Sequence, residues 1–279
     1  MQQELFNKVS VNCSKLVTKA YSTSFSMAVK TLAPSIRNPI YSIYGFVRFA
    51  DEIVDSFHGH DKEKLIEDFE KDYYKGLEEG ISLNPILNAF QLTVKKYHIH
   101  DELIQAFLNS MKQDLFKANY TRAEFNNYIY GSADVVGLMC LKVFVNGDED
   151  RYNELKESAM RLGSAFQKVN FLRDLKDDVE MLNRSYFPGI NILNLDNNAK
   201  IKIIQEIEED FNIALEGIKA LPNEAKFGVY TAYAYYKCLL NKLAKTPSNE
   251  IINSRIRVSN PVKFGLLAKS FVTLKLNLI

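Results

Sequence analysis

The sequence predicts a single all-α domain that spans residues 1–279. Apolar residues recur at helical spacing along almost the whole chain, and segments with the alternating pattern of a β-strand are nearly absent. Only 12 glycines and 7 prolines are spread over the chain, and no linker or low-complexity stretch divides it. These three observations together indicate a bundle of about ten helices of ordinary length.

Turn-forming residues, taken in chain order, predict where the helices end. The first helical stretch ends near Ala33-Pro34. The next begins near Pro34–Pro39 and ends in the turn at His58–Asp61. Later breaks are predicted at Gly80–Pro85, His98–Asp101, Asn119–Thr121, Gly147-Asp148, Tyr186–Asn197 and Leu221-Pro222.

Amphipathic faces support the helices between these breaks. Residues 65, 66, 69, 73 and 77 form one apolar face, and residues 103, 104, 107, 111 and 115 form another. The helix that follows Gly147-Asp148 is predicted to run towards Asn183.

Two acidic runs carry the clearest chemical signal. Oxygen-bearing side chains recur every four residues, at Asp51 and Asp55 in the first run and at Asn170, Asp174 and Asp178 in the second. On a helix this spacing stacks the side chains on one face, where like charges repel. Both runs also contain large apolar residues, so these faces are expected to be half buried and to need neutralisation.

Hard divalent cations would neutralise such faces, because Mg²⁺ takes carboxylate and amide oxygens and usually keeps phosphate oxygens in its shell. Arg48 lies three residues before Asp51, and Arg173 directly precedes Asp174. Arginine at these positions indicates a phosphate ligand. Two helices packed side by side would then hold metals between them inside the bundle. A solvated charged face with helical ion pairs is the alternative, and it fits less well because both runs continue into apolar sequence.

Composition narrows the other possibilities. Hydrophobic residues make up 47% of the chain and charged residues 25%, which is ordinary for a globular protein. A net charge of +1 disfavours a nucleic-acid partner, which would favour a basic excess. The cysteines Cys13, Cys140 and Cys238 lack metal-ligand spacing and predict a reduced, cytoplasmic protein.

No signal peptide and no transmembrane segment is predicted from the sequence. The C-terminal stretch Pro261–Ile279 mixes three lysines with large apolar residues. We expect either a terminal helix that packs on the domain or a segment that lies on a membrane surface. Oligomeric state stays open.

The motifs in chain order resemble those of the squalene/phytoene synthase family, the head-to-head prenyl-diphosphate synthases. The segment Tyr21–Ala28 (YSTSFSMA) is similar to the family's Ser-x-Ser-Phe-x-x-Ala motif, and the spacing of Tyr41, Tyr44, Arg48, Asp51 and Asp55 resembles its first aspartate-rich motif. The second motif is matched by Gln167, Asn170, Arg173, Asp174 and Asp178, followed by Arg184, Tyr186 and Pro188. Looser matches lie at Tyr128–Gly137, Tyr236 and Arg255–Lys263.

This resemblance implies an isoprenoid synthase helical bundle with a central cavity, in which Mg²⁺, or alternatively Mn²⁺, bridges prenyl diphosphates to both acidic motifs. It implies metal ligation by Asp51, Asp55, Asn170, Asp174 and Asp178. It also implies that the catalytic set includes Arg48 and Tyr41 beside the four aspartates. The implied substrate-binding residues are Ser22, Ser24, Phe25, Tyr44, Arg48, Gln167, Arg173, Tyr236 and Lys263.

Three positions depart from the family pattern. Residue 21 is Tyr where the family often has His, and residue 52 is Glu where many members have Asp. The spacing of Asp51 to Asp55 is retained, so we expect activity to be retained. Residue 29 is Val rather than a large aromatic. If Val29 lines the cavity, it leaves room for a longer chain and favours C20 over C15 substrates.

The resemblance implies condensation of two geranylgeranyl diphosphates, through a cyclopropyl diphosphate, to the C40 carotenoid precursor phytoene. The same chemistry on two farnesyl diphosphates, giving squalene or dehydrosqualene, is the nearest alternative. A terpene cyclase and a non-catalytic relative that acts as a binding or assembly protein are further alternatives. Lipophilic substrates and products favour a cytoplasmic protein that associates peripherally with the inner face of the membrane.

Overall fold

The computed structural model describes residues 2–117, 120–175, 186–188, 195–276 and 278. In this part of the chain we find thirteen α-helices, one π-helical turn and no β-strand. The helices, numbered in chain order, are α1 (Gln2–Tyr21), α2 (Thr23–Thr31), α3 (Pro34–Ser56), α4 (Lys62–Glu79), α5 (Pro85–Tyr97), α6 (Asp101–Gln113), α7 (Arg122–Ile129), α8 (Val135–Phe144), α9 (Glu149–Arg173), α10 (Asn197–Ala220), α11 (Asn223–Lys245), α12 (Ser248–Asn253) and α13 (Asn260–Lys275).

Local capping explains why the breaks fall where the sequence predicts them. Asp61 and Asp148 accept hydrogen bonds from backbone N–H groups in the first turns of α4 and α9, and Asn84 does the same for α5. Helix α4 ends at Gly80 with φ of 78°, a left-handed conformation that glycine adopts without strain. The structure describes only the two ends of the break at Tyr186–Asn197, where residues 186–188 and 195–196 are not helical and Asn197 begins α10.

Two boundary predictions were wrong. There are more helices than about ten among the described residues, because Ser22 caps a separate short α2 and the π turn divides α7 from α8. The helix predicted to run towards Asn183 is interrupted earlier, because α9 ends at Arg173 with Asp174 as its C-cap. A carboxylate is unfavourable at a helix C-terminus, where the helix dipole is negative. Leu175 is again helical, and residues 176–185 lie outside the described part of the chain.

Helix α3 is fixed in the centre of the bundle by aromatic packing. Phe46 stacks on Phe90 of α5 with ring centroids 3.9 Å apart, and it also contacts Phe69 and Tyr73 of α4 and Phe107 of α6. All five rings are buried. Buried aromatic clusters contribute strongly to core stability, so the helix that carries the first acidic motif has a rigid support.

A π turn at Tyr130–Asp134 interrupts the helical segment between α7 and α8. Two glycines let neighbouring helices approach it closely. A Cβ built on Gly131 would lie 2.7 Å from the carbonyl oxygen of Ala106 in α6, and one on Gly163 of α9 would lie 2.7 Å from that of Ala133. The π turn is therefore held between α6 and α9, and π turns of this kind occur frequently at functional sites.

Helices α9 and α10 are joined by an ionic network in which Lys168 and Asp210 are buried and Arg161 and Glu206 are partly exposed. Lys168 Nζ lies 2.8 Å from Asp210 Oδ2 and 2.6 Å from a carboxylate oxygen of Glu206. Arg161 binds the other oxygen of Asp210 at 3.2 Å. The Asp134 carboxylate in the π turn lies within electrostatic range of this network. It accepts a hydrogen bond from the Ser164 hydroxyl at 2.7 Å. The network fixes α9, which carries the second acidic motif, to its neighbours.

Asp134 should make stability depend on pH. Burial raises the pKa of its carboxyl to about 7, from 3.8 in an exposed setting. Between these two pH values the folded protein keeps a proton that the unfolded chain has released, so the free energy of unfolding falls as pH rises through this window. We expect the free energy of unfolding of Asp134→Asn to rise by roughly 4 kcal/mol relative to that of wild type between pH of about 4 and about 8. Urea unfolding across this range checks the prediction, and parallel pH profiles for the two proteins would contradict it.

None of the helices in the described ranges is both long enough and apolar enough to cross a membrane.

Candidate active site

A cavity of about 310 Å³ lies inside the bundle, between α2, α3, α8, α9, α10 and α11. Its wall is almost entirely apolar, and small side chains are frequent in it. Polar side chains, Gln167 and Asn170, enter it from α9, which carries the second acidic motif. Other lining residues include Phe25, Val29, Tyr44, Val47, Ser132, Cys140, Phe166 and Tyr236. The geometry suits a long hydrocarbon chain with a polar group at one end.

The first acidic motif lies on α3, with Asp51 and Asp55 half-buried one turn apart. Arg48 forms ion pairs with both Asp51 and Glu52. The guanidinium carbon of Arg48 lies 4.4 Å from the centre of the Tyr21 ring, a cation–π contact. Tyr21, where the family often has His, thus supports the arginine of the first motif.

The second motif comes from the last turns of α9. The Tyr236 hydroxyl of α11 donates to Asn170 Oδ1 at 3.3 Å, and the Tyr236 ring stacks on Phe166 at 4.0 Å. At the helix end, the Nε atoms of Arg173 and Arg255 each lie 2.8 Å from Asp174 Oδ1. The Asp174 carboxylate is thus held between two guanidinium groups.

Tyrosine side chains connect the two motifs. Tyr44 stacks on Phe25 of α2 with centroids 4.8 Å apart. Burial raises the pKa of Tyr44 to about 12, and the nearby Arg48 acts against this shift, while Asp51 and Tyr236 add to it. Burial also raises the pKa of Tyr236, which lies within electrostatic range of Arg173 and Asp174. Tyr44 and Asn170, one from each motif, therefore lie at the same end of the cavity, whereas Arg48, Asp51, Asp55 and Asp174 lie near this end without lining the cavity.

A second, smaller cavity of about 130 Å³ adjoins the first and shares Phe25, Phe166 and Tyr236 with it. Its polar lining comes from Ser22, Ser24, Arg173, Tyr235 and Lys263. The Lys263 ammonium lies 5.6 Å from the centre of the Tyr235 ring. Two cations and several hydroxyl groups around a small space form a setting for a diphosphate.

The donors around this end suit a hard divalent cation. Asp51, Asp55 and Asp174 offer carboxylate oxygens and Asn170 an amide oxygen, the ligand types that Mg²⁺ prefers. Among the residues that the structure describes, no group of three or more His, Cys, Asp or Glu side chains is placed to hold a metal ion. Within the described ranges, no acceptor binds the buried Nε of Arg48, a donor that a ligand or a residue outside those ranges could satisfy. The chemistry thus fits metal held together with a phosphate ligand.

The structure brings most of the predicted site residues together, but not all of them. Tyr41 is buried in the core, within reach of Ser26 and Arg37, and lines neither cavity. Asp178 lies outside the described residues, as does Arg184. Ser22 accepts a hydrogen bond from the backbone N–H of Phe25, which adds a capping role to its place in the smaller cavity. Val29 lines the large cavity, which is the condition for it to favour C20 substrates.

Three site residues were missed by the sequence analysis. Phe166 lies one turn before Asn170 on α9 and lines both cavities, so helical spacing was the available signal. Tyr235 precedes Tyr236 and lines the smaller cavity. Arg255, which binds Asp174, lies in the C-terminal segment that was matched to the family only loosely.

Comparisons with known proteins agree with this geometry. The family model for squalene/phytoene synthase matches residues 18–193. The chain is 27% identical over 270 residues to the 15-cis-phytoene synthase of Synechocystis sp., covering 88% of this chain and 80% of that protein. It is 30% identical over 191 residues to the presqualene diphosphate synthase of Zymomonas mobilis, covering 67% and 64% of the two chains.

Solved structures show the same fold. A dehydrosqualene synthase superposes with a TM-score of 0.83 at 20% identity, covering 96% of this chain and 98% of the other. The squalene synthase of Alicyclobacillus acidocaldarius superposes with a TM-score of 0.74 at 18% identity, covering 85% of this chain and 94% of the other. The fold is that of the isoprenoid synthases, as the resemblance implied. The match to the family model extends over more than half of the chain, so this protein belongs to the squalene/phytoene synthase family and is a prenyltransferase.

Proposed function

We propose that this enzyme joins two molecules of geranylgeranyl diphosphate head to head, through prephytoene diphosphate, to phytoene, and releases both diphosphates. The observation that carries the proposal is the apolar cavity that adjoins a small cationic and hydroxyl-lined cavity at the convergence of the two acidic motifs. Similarity to phytoene synthases over most of the chain supports it. Carotenoid biosynthesis is the corresponding process.

The residues of the smaller cavity would hold a departing diphosphate. Ionisation breaks the bond between C1 and oxygen of an allylic diphosphate, and the leaving group takes the electron pair. Arg173 and Lys263 offer positive charge to that group, and Ser22 and Ser24 offer hydroxyl donors. Mg²⁺ held by Asp51, Asp55, Asn170, Asp174 and Asp178 would supply further electrostatic stabilisation of the diphosphate.

The apolar cavity would protect the allylic cation. Water would quench this cation, and the apolar lining excludes it. Phe25, Phe166 and Tyr236 line both cavities and Tyr44 stacks on Phe25, so these rings would stabilise positive charge there through their π-systems. Attack by the double bond of the second substrate, with loss of a proton, forms the cyclopropane ring. Loss of the second diphosphate and a final proton then yields the C40 hydrocarbon.

The test is incubation of the purified protein with Mg²⁺ and either geranylgeranyl or farnesyl diphosphate, followed by mass spectrometry of the extracted hydrocarbon. A C40 product from the first substrate is expected. A C30 product alone would favour the squalene or dehydrosqualene reaction, a second candidate that the structural similarity to such synthases supports. Substrate binding without a coupled product from either would favour a cyclase or a non-catalytic relative.

Val29 should influence the length of the prenyl chain that the enzyme accepts. It is buried in the wall of the large cavity, so a larger side chain there shortens the space for hydrocarbon. We expect Val29→Phe to lower kcat/KM for geranylgeranyl diphosphate about tenfold more than for farnesyl diphosphate. Val29→Ile is the milder control, and thermal unfolding shows whether the larger ring disturbs the core. Equal losses with both substrates would contradict this role for Val29.

We also propose that the protein associates peripherally with the inner face of the membrane. Its substrates and product are lipophilic, and its C-terminal residues combine lysine with exposed apolar side chains.

A further inference from the structure

The C-terminal helix α13 has an apolar outer face. One side of it packs against the domain, where Ser270 is buried and Phe271 meets Phe227 of α11 at 5.9 Å. On the other side, Phe264 is 62% exposed and Leu276 is 61% exposed. Val262 and Val272 are also exposed on this helix, and Phe271, at the edge of the packed side, is 52% exposed. A surface helix normally presents polar residues outwards, so an outer face of this kind indicates a binding surface.

Charge distribution identifies the type of partner. Residues 251–279 contain five basic side chains, Arg255, Arg257, Lys263, Lys269 and Lys275, and no acidic one. The other 250 residues contain 30 basic and 34 acidic side chains, a net charge of −4. The apolar face therefore lies in the one strongly basic segment of a protein that is otherwise acidic. Exposed apolar rings together with lysines are the composition that binds anionic lipid surfaces.

We infer that the outer face of α13 docks on a lipid bilayer with anionic headgroups, with Phe264 and Leu276 inserted at the interface and Lys269 and Lys275 paired with lipid phosphates. Long lysine side chains can reach headgroups while apolar neighbours lie deeper. Burial of exposed apolar side chains in the bilayer lowers the free energy by about 25 cal/mol for each Å² of apolar surface that leaves water. Neither contribution requires a membrane-spanning segment.

A second copy of this chain is a poorer occupant of the same face. A two-fold symmetric dimer through α13 would place the same surface on both subunits. The exposed Lys269 and Lys275 of one subunit would then face those of the other without any acidic residue from this segment to compensate them. Anionic headgroups, by contrast, complement these charges.

The docking face is connected to the site through the opposite side of α13. Lys263 and Leu266 line the smaller cavity, while Phe264, between them in sequence, points outwards. A bilayer bound at α13 would thus lie one helix away from the diphosphate end of the cavities. On the basis of the proposed function, this position would let prenyl diphosphates enter from the lipid surface.

Vesicle flotation tests the docking face. The full-length protein is mixed with vesicles of phosphatidylcholine alone or of phosphatidylcholine with phosphatidylglycerol. We expect binding to the anionic vesicles that weakens as salt is added. Phe264→Ser/Leu276→Ser should weaken partitioning about tenfold or more. Lys269→Glu/Lys275→Glu should weaken it about twentyfold or more on anionic vesicles.

Matched controls come from other exposed positions. Leu83 is 90% exposed and Phe116 is 73% exposed, so Leu83→Ser/Phe116→Ser removes comparable apolar side chains outside α13. Lys71→Glu/Lys75→Glu on α4 makes the same charge change. Both controls should bind anionic vesicles as wild type does. Binding lost equally in the controls, or absent from wild type, would overturn the docking face.

Two further measurements separate this inference from its rivals. The first is size-exclusion chromatography with light scattering in the absence of lipid. A dimer that Phe264→Ser/Leu276→Ser dissociates would overturn the inference. Turnover of substrate dispersed in detergent micelles should be the same for wild type and the α13 variants. Wild-type protein that binds vesicles but forms no C40 product would leave the docking face standing and refute only the proposed reaction.

Discussion

Asp51→Asn and Asp174→Asn are each expected to lower kcat by about three orders of magnitude or more, while the protein stays folded. Each change keeps the size of the side chain and removes the charge that would hold a divalent cation with its diphosphate. Asp174 lies between Arg173 and Arg255, so the variant also leaves two guanidinium groups without their shared carboxylate. Steady-state turnover with Mg²⁺ titration, beside circular dichroism for the fold, is the measurement.

Glu52→Gln provides the matched control for this prediction. Glu52 lies next to Asp51 on α3 and binds the same Arg48, so its replacement removes an equal charge from the same place. It lies off the face formed by Asp51 and Asp55, because residues four apart share a helical face and adjacent ones do not. We expect its turnover to fall less than about tenfold. Wild-type turnover and Mg²⁺ dependence in the Asp variants would remove those residues from the mechanism.

Lys168→Met is expected to destabilise the fold by about 3–5 kcal/mol. The Lys168 side chain is 8% exposed and its partner Asp210 is 3% exposed, so the variant leaves a buried carboxylate without its closest cation. Arg161 lies 3.2 Å from the other oxygen of Asp210 and compensates only in part. Urea unfolding at neutral pH measures the loss.

Lys237→Met is the control, because Lys237 forms an ion pair with Glu208 where both side chains are partly exposed. Such pairs contribute about 0–1 kcal/mol. A second comparison is Lys168→Met/Asp210→Leu, which removes both buried charges and should recover much of the lost stability. Loss below about 1 kcal/mol in Lys168→Met would show that the network contributes little.

Helical periodicity and capping residues were sufficient to predict the fold class and most helix ends. The prediction for α3 is accurate because Pro34 starts it and the His58-Gly59-His60 turn follows it. The end of α9 was missed because spacing alone favours continuation through Asp174 and Asp178. A carboxylate at a helix C-terminus is unfavourable and opposes that continuation. The sequence alone does not show which of these two effects is larger.

At the site, the sequence predicted the local motifs but not the contacts between residues that are far apart in the chain. Tyr44 lines the cavity and Tyr41 does not, because Ile40, Ile43, Tyr44 and Val47 form the cavity face of α3 and Tyr41 lies about 60° beyond Tyr44 at its edge. Arg255 binds Asp174 across 81 residues of sequence. The pairing of Lys168 with Asp210 likewise depends on how α9 meets α10. Contacts of this kind leave no periodic pattern in one sequence.

The π turn at Tyr130–Asp134 makes the cavity wall depend on residue count as well as on residue identity. Ser132, Ala133, Val136 and Gly137 reach the cavity in this register. The i→i+5 bonds of a π turn close over one residue more than those of an α-helix, so the turn takes up an extra residue while α7 and α8 keep the relative orientation of a continuous helix. Removal of one residue from the turn would allow an uninterrupted α-helix and would change the wall where Ser132 and Ala133 line it. Cys140 and Leu141 on α8 would keep their places. A one-residue deletion at this turn would therefore reshape the hydrocarbon pocket locally and leave the rest of its wall in place.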